Sequence, residues 1–69
     1  METVSFECCY VEHETDEALL VRIPDVSDDP QWVPKSKKIL DQDESEILHK
    51  GDSGTLVVAE WFATDKEWI

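Results

Sequence analysis

The sequence lacks the features that mark membrane and secreted proteins. It has no apolar run of about 18 residues, which a membrane-spanning helix needs, and its N-terminus carries Glu2 and Glu7 where a signal peptide has basic residues. Its cysteines, Cys8 and Cys9, are adjacent and cannot form a useful cross-link, because neighbouring side chains of a strand point to opposite faces. These absences predict free thiols in a reducing, cytoplasmic compartment, and the length of 69 residues predicts one domain over residues 1–69.

Basic residues are also scarce. The chain of 69 residues has 6 lysines and arginines against 17 aspartates and glutamates, which gives a formal net charge of −11 at pH 7. This charge exceeds what solubility requires of a small domain, and its self-repulsion costs stability. Nucleic acids and anionic membranes are bound mainly through lysine and arginine, so both are poor partners for this chain. The composition favours a basic protein as partner, including a protein whose own ligand is a nucleic acid.

Residues with catalytic or metal-binding chemistry are few. Cys8, Cys9, His13 and His49 lack the paired spacing of a structural zinc site, and simple packing of the thiols is the alternative. Residues 51–54 match the Gly-Asp-Ser-Gly of serine proteases, but the chain is too short for their double barrel, and turn composition explains the match. We therefore predict a non-enzymatic protein that uses no metal or other cofactor.

One basic cluster contains Lys35, Lys37 and Lys38. Lysines without interleaved aromatic residues, in a chain of this net charge, are a poor nucleic-acid footprint. Pairing with the acids of residues 41–44 would instead relieve local repulsion. Direct binding of DNA or RNA is therefore not expected.

Alternating apolar residues predict an antiparallel hairpin at the start of the chain. Residues 3–11 form its first strand and residues 18–23 its second, joined by an acidic turn over residues 12–17. The side chains expected to point into the core are Val4, Phe6, Cys8 and Tyr10 from the first strand, and Leu19, Val21 and Ile23 from the second.

The rest of the chain predicts further short strands and a helix. Residues 31–33 form a strand between proline-containing turns, residues 45–50 a fourth strand, and residues 55–58 a strand buried on both faces. From Ala59 onward the large residues follow a helical period, which predicts a C-terminal helix with an aromatic face. The expected fold is α+β: a small curled antiparallel sheet of four to five short strands, with a barrel as a close variant, and one C-terminal helix.

The aromatic residues are expected to contribute much of the core. We predict that Trp32, Trp61 and Phe62 are buried, and that Ile47, with His49 as a second candidate, points inward from the fourth strand. The chain ends in Trp68 and Ile69. If this end is not packed into the core, it is an apolar patch for a homodimer or another partner.

Three segments, in this order, resemble a group of small uncharacterised phage-borne proteins. They are Ala-Leu-Leu-Val-Arg-Ile at residues 18–23, Trp-Val-Pro-Lys-Ser at residues 32–36, and a closing segment at residues 51–63 that contains Gly-Thr-Leu-Val-Val-Ala-Glu-Trp. The group shows W-[IV]-P-K-S followed by G-T-L-V-x-x-E-W, often with proline where Ala59 stands here; the pair of lysines at residues 37–38 is a further departure. The resemblance implies a phage or prophage origin and brings no catalytic residues.

The chain also resembles anti-CRISPR proteins, which are small, often acidic and phage-encoded, and some of which mimic DNA. This second likeness rests on size, charge and implied origin, and involves no particular residue. Alternate residues of a strand share a face about 6.6–6.8 Å apart. Glu12, Glu14 and Asp16, or Glu44 and Glu46, would then present carboxylates at roughly the spacing of successive phosphates. The alternative is that the acids only keep the protein soluble and its strand edges unpaired.

These observations predict a phage-encoded inhibitor that binds a basic nucleic-acid-binding site of a host protein, with a subunit of a CRISPR effector complex as a plausible partner. It would block DNA by electrostatic competition. The alternative is a phage accessory or scaffold protein that acts through protein contacts at its aromatic end. The acids predicted to bind the partner are Glu7, Glu12, Glu14, Asp16, Glu17, Asp28, Asp29, Asp41, Asp43, Glu44 and Glu46.

Overall fold

The computed structural model describes residues 2–69, which form β1 (Thr3–Glu14), β2 (Ala18–Arg22), β3 (Gln31–Pro34), β4 (Ser53–Ala59) and α1 (Glu60–Asp65). All strand pairs are antiparallel, and the strand order is β3-β2-β1-β4. The sheet curls into a half-barrel, and the short helix follows its last strand. The predicted α+β architecture is confirmed at this level. Within the described part of the chain, no helix has the length and apolarity that a membrane crossing requires.

The core lies on the inner face of the curled sheet. Each fully buried leucine, isoleucine or valine contributes about 1.5–3 kcal/mol relative to an exposed one. Leu19, Val21 and Ile23 point into this core as predicted. The buried residues that form the core are Phe6, Cys9, Val11, Leu19, Val21, Ile23, Val33, Leu40, Ile47, Leu56, Val58, Ala59, Phe62 and Ala63.

The alternation predicted for the first strand is wrong beyond Phe6. The register against β4 slips by one residue between Phe6 and Cys9, and Cys8 has a φ of 60° within this β-bulge. An extra residue moves every later side chain of the strand to the other face. Cys9 and Val11 are therefore buried, whereas Cys8 and Tyr10 are exposed.

The hairpin turn is shorter than predicted, because β1 continues to Glu14. Residues 15–17 make the turn, in which the Thr15 hydroxyl accepts hydrogen bonds from the backbone N–H groups of Glu17 and Ala18. Beyond this turn, β2 ends at Arg22, and β3 extends to Pro34.

Residues 45–50 do not form the predicted fourth strand. The segment of residues 39–46 instead borders the outer edge of β4 through one isolated antiparallel bridge, Leu40 with Val58, and through further bonds: Asp41 N–H donates to the Val57 carbonyl, and Glu46 N–H donates to the Thr55 carbonyl. The Ser45 hydroxyl replaces a backbone group by bonding both the N–H and the C=O of Val57. Ile47 is buried, as predicted, but His49 is exposed.

The final strand is longer than predicted, since β4 begins at Ser53. Its residues 56–59 are all buried, in line with the prediction that both faces of this strand are covered. The helix ends at Asp65, and Glu67 has a φ of 62°, which turns the chain back. Trp68 thereby packs edge-on against Phe6 and Phe62, with ring centroids 5.8 and 5.4 Å apart.

Two of the predicted core aromatics are at the surface. Phe62 is buried as expected, but Trp61 is 54% exposed and Trp32 is 50% exposed. Trp61 precedes the buried pair Phe62 and Ala63, and a helix this short has one side only against the sheet. Trp32 lies on the outer face of β3, because Val33 takes the inward position of that short strand.

Candidate partner-binding surface

The acids predicted to bind a partner lie in four parts of the fold. Strand β1 carries Glu7, Glu12 and Glu14, and the hairpin turn carries Asp16 and Glu17. The β2–β3 loop carries Asp28 and Asp29, and the segment bordering β4 carries Asp41, Asp43, Glu44 and Glu46. The structure therefore does not place them in a single row.

The predicted row of Glu12, Glu14 and Asp16 does not form. A second irregularity in β1, between Val11 and His13, makes Glu12 an extra residue, so Glu12 and Glu14 do not follow a strand alternation. Glu14 lies opposite the inward-pointing Leu19, and Asp16 lies in the turn beyond the strand. The spacing argument for phosphate mimicry along this strand is therefore wrong.

Glu14 is held by contacts within the molecule. Its Oε2 atom lies 2.7 Å from Lys35 Nζ and 3.2 Å from His49 Nδ1, and its Oε1 atom accepts the Lys50 backbone N–H at 3.3 Å. Hydrogen bonding from Lys35, then from His49 and from the Lys50 backbone, lowers the pKa of Glu14 to about 2. This carboxylate ties the end of β1 to residues 35 and 49–50.

Glu12 is also engaged. Its Oε2 atom lies 3.0 Å from a guanidinium nitrogen of Arg22 on the neighbouring strand, and the other guanidinium nitrogen donates to the backbone carbonyl of Asp28. Both terminal nitrogens of the Arg22 guanidinium are thus held by hydrogen bonds. Its positive charge is largely compensated by Glu12.

Two acids of the segment bordering β4 serve its local structure. The Asp41 carboxylate accepts the backbone N–H groups of Asp43 and Glu44, which closes a turn. Glu46 accepts the backbone N–H of Thr55 at 2.8 Å, and this bond lowers the pKa of Glu46. The predicted row of Glu44 and Glu46 fails as well, because these residues form no strand.

Asp52 is an acid with a structural role that the sequence did not indicate. Its carboxylate accepts the backbone N–H groups of Leu48 and His49, and these bonds lower the pKa of Asp52. The Asp-Ser of residues 52–53 therefore lies where a turn passes into β4, and Ser53 is the first residue of that strand. Among residues 2–69, no three histidine, cysteine, aspartate or glutamate side chains come together as a metal site would require.

The remaining candidate acids are exposed, and within residues 2–69 their carboxylates form no hydrogen bond or ion pair. Two such pairs flank β2: one lies in the turn before it, and the other lies in the loop after it. Since β2 has five residues, its ends are about 14 Å apart at about 3.4 Å per residue. These free acids are Glu7, Asp16, Glu17, Asp28, Asp29, Asp43 and Glu44.

Exposed aromatic residues lie beside these acids, and sequence reasoning missed them. Trp32 on β3 is 50% exposed and Tyr10 on β1 is 45% exposed. One signal for Trp32 was available: prolines at residues 30 and 34 bracket its strand, which is typical of an edge strand. No signal in the sequence marks the bulge that exposes Tyr10.

Neither the family models, nor the curated proteins, nor the solved structures gave a match to this chain.

Proposed function

We propose that the protein is a phage-encoded inhibitor that binds the basic nucleic-acid-binding site of a host protein and excludes DNA by electrostatic competition. The supporting observation is the set of exposed carboxylates that have no partner within residues 2–69, on a chain of net charge −11. Such a surface attracts a lysine- and arginine-lined groove over long range. The resemblance to phage-borne proteins makes a CRISPR effector complex the first partner to test.

The test is a competition assay. Fluorescent target DNA is bound to a purified CRISPR effector complex, and the protein is added at low and at high salt. We expect the DNA to be displaced, with the inhibition constant rising as salt increases, because exposed charges are screened. Failure to displace DNA would rule out this partner, and displacement that is insensitive to salt would contradict the electrostatic mechanism.

The variants follow from the structure. Neutralising Asp16, Glu17, Asp28 and Asp29 together to their amides removes free charges, whereas changes at Glu12 or Glu14 would also break ion pairs that support the fold. We expect this quadruple variant to inhibit at least about tenfold less well. The matched control neutralises four exposed acids outside the candidate set and changes the net charge equally: Glu2, Glu60, Asp65 and Glu67. Equal loss in both variants would show that net charge acts, and not a particular surface.

A scaffold or accessory role through the C-terminal end is the second candidate. It is favoured by the exposure of Trp61 at 54% and of Ile69 at 60%. Under this role, Trp61→Ala abolishes function and the quadruple acid variant is tolerated. The inhibitor role predicts the opposite pair of results.

A further inference from the structure

The outer face of the sheet carries an apolar surface next to two groups of free acids. Leu20 lies directly opposite Trp32 on one side and exposed His13 on the other, and Tyr10 lies directly opposite Arg22 two residues along. Directly opposed residues, and alternate residues of one strand, share a face. We refer to Tyr10, Leu20, Arg22 and Trp32 as the outer aromatic face.

The geometry points to this outer aromatic face as the docking surface for a basic protein partner, with Trp32 as its anchor. The inference deepens the proposed function, on which it rests for the basic character of the partner. Tryptophan, tyrosine and arginine are the residues most enriched among those that dominate binding energy. Three of the four members of this face belong to these types.

The charges around the face select the partner. Glu12 compensates the charge of Arg22, so the face itself is close to neutral. Asp28 lies at one end, because its backbone carbonyl accepts a hydrogen bond from Arg22. Glu17 lies at the other end, because its carbonyl accepts the N–H of Lys35 directly after β3. A near-neutral apolar centre between free acids complements an apolar patch framed by lysine and arginine.

The edge of β3 disfavours a partner that adds as a further strand. Lys35 N–H donates to the Glu17 carbonyl, so these two residues are a hydrogen-bonded pair. Hydrogen-bonded and non-hydrogen-bonded pairs alternate along an antiparallel ladder. By this alternation Leu20 and Trp32 are a non-hydrogen-bonded pair. The N–H and C=O of Trp32 then point away from β2, but Pro34, the next residue with this orientation, has no N–H. The free edge is too short for a strand ladder, so the partner docks through side chains.

The same charges exclude the other occupants. A second copy would bring another charge of −11 against the same acids. Single-stranded nucleic acid could stack on Trp32 and Tyr10, but such platforms lie in positively charged grooves, whereas free carboxylates flank this face. Both occupants are outcomes of the test below.

The test uses the whole protein, labelled with ¹⁵N, and two synthetic peptides of equal length. One contains lysine and leucine, and the other has serine in place of each leucine. We expect the lysine–leucine peptide to shift the resonances of Tyr10, Leu20 and the Trp32 indole N–H first, and to bind at least about tenfold more tightly than the lysine–serine peptide. Shifts spread evenly over all acidic segments, or centred on α1, would overturn the inference.

Variants of the two exposed tryptophans test whether peptide binding is specific to the outer aromatic face. Trp32→Ala should weaken binding of the lysine–leucine peptide about tenfold, and Trp32→Phe should restore most of it. Trp61→Ala is the matched control, since Trp61 is equally exposed but lies on α1, which packs on β4 and β1 and not on β3. The affinity of Trp61→Ala for the lysine–leucine peptide should stay within about twofold of that of the unmodified protein. Equal losses for Trp32→Ala and Trp61→Ala would contradict a specific face.

Two further measurements address the other occupants. Sedimentation should give a monomer, and a dimer that Trp32→Ala dissociates would identify a second copy as the occupant. A single-stranded oligonucleotide should leave the Trp32 resonance unchanged, and a shift there at lower concentration than the peptide requires would overturn the inference. If the peptide binds this face but DNA is not displaced from the effector complex, that complex is ruled out as the partner and the docking surface stands. If DNA is displaced but the peptide does not bind this face, the inhibitory contact lies elsewhere on the protein.

Discussion

The adjacent thiols of Cys8 and Cys9 have opposite environments, which gives a direct test of the first bulge. Cys8 is exposed, whereas Cys9 is buried and its thiol donates to the carbonyl of Phe6. Burial raises the pKa of Cys9 from 9.0 to about 11. At pH 8 this shift lowers its thiolate fraction about a hundredfold, and the thiolate is the reactive form.

We therefore expect a disulfide reagent to label one thiol per chain rapidly. Cys8→Ser should remove this fast reaction, and Cys9 should react only when the protein is unfolded with urea. Fast labelling of both thiols, or of Cys9 alone in the Cys8→Ser variant, would contradict the bulge that turns Cys9 inward.

Glu14 makes stability depend on pH. Its pKa falls from 4.5 in an ordinary environment to about 2 in the folded protein, chiefly through the bond from Lys35. A carboxylate whose pKa is lower in the folded state stabilises the fold above the unfolded pKa and loses this contribution as the pH falls toward the folded pKa.

Glu14→Gln should therefore lower Tm by a few degrees at pH 7, and the difference from the unmodified protein should shrink between pH 4.5 and pH 2. Thermal unfolding followed by circular dichroism at several pH values gives the measurement. Glu17→Gln is the control, since the Glu17 carboxylate has no partner within residues 2–69, and its Tm should stay close to that of the unmodified protein. A Tm difference for Glu14→Gln that is constant over the whole pH range would contradict the assignment.

At the scale of elements, two glycines near the start of β4 differ in why a larger residue is disfavoured. One has only an unusual backbone conformation, and the other also lacks space for a side chain. Both have positive φ, 89° for Gly51 and 141° for Gly54. A Cβ atom at Gly54 would lie 2.8 Å from Glu46 Oε1, whereas one at Gly51 would meet no atom within 4 Å. Substituting Gly54 must therefore also displace the carboxylate that accepts the Thr55 N–H.

We expect Gly51→Ala to cost about 1–2 kcal/mol of unfolding free energy and Gly54→Ala about 2–4 kcal/mol. Urea titrations of both variants give the comparison. Equal costs would show that displacing the Glu46 carboxylate does not lower the unfolding free energy.

Elements were predicted where the hydrophobic pattern is strong and local. The inward residues of β2 and the doubly buried strand β4 follow from short β-branched runs. The inward residues of β1 could not be predicted, because a bulge is a pairing irregularity and depends on the partner strand. The strand predicted for residues 45–50 does not form, for a related reason. The edge bonds of these residues use the Ser45 hydroxyl and the Glu46 carboxylate, which leave no periodic trace.

For the candidate site, too, the sequence predicted what depends on composition and missed what depends on contacts between elements. The sequence identified the acids and their abundance, since charge is a property of composition. It could not separate the free acids from Glu12, Glu14, Asp41 and Glu46, because their partners lie on other elements or in turns. It also assigned Trp32 to the core, since aromatic side chains are buried in most domains and a strand of four residues gives little alternation.

At the scale of the whole molecule, the net charge should make salt act in opposite directions on stability and on binding. The protein measures 27 × 24 × 17 Å. The screening length is about 30 Å at 0.01 M salt and about 3 Å at 1 M. At low salt every carboxylate therefore repels all the others, and at high salt only close neighbours interact. With two ion pairs of lysine or arginine among residues 2–69, screening removes more repulsion than attraction.

We therefore expect Tm to rise by several degrees from 0.01 M to 1 M sodium chloride, while the affinity for the lysine–leucine peptide falls over the same range. The variant with Asp16, Glu17, Asp28 and Asp29 changed to amides separates repulsion from general salt effects on hydrophobic burial. Its Tm should be higher at low salt and should rise less with salt, because part of the repulsion is already absent. A Tm that falls with salt, or the same rise in both proteins, would show that the free acids do not strain the fold.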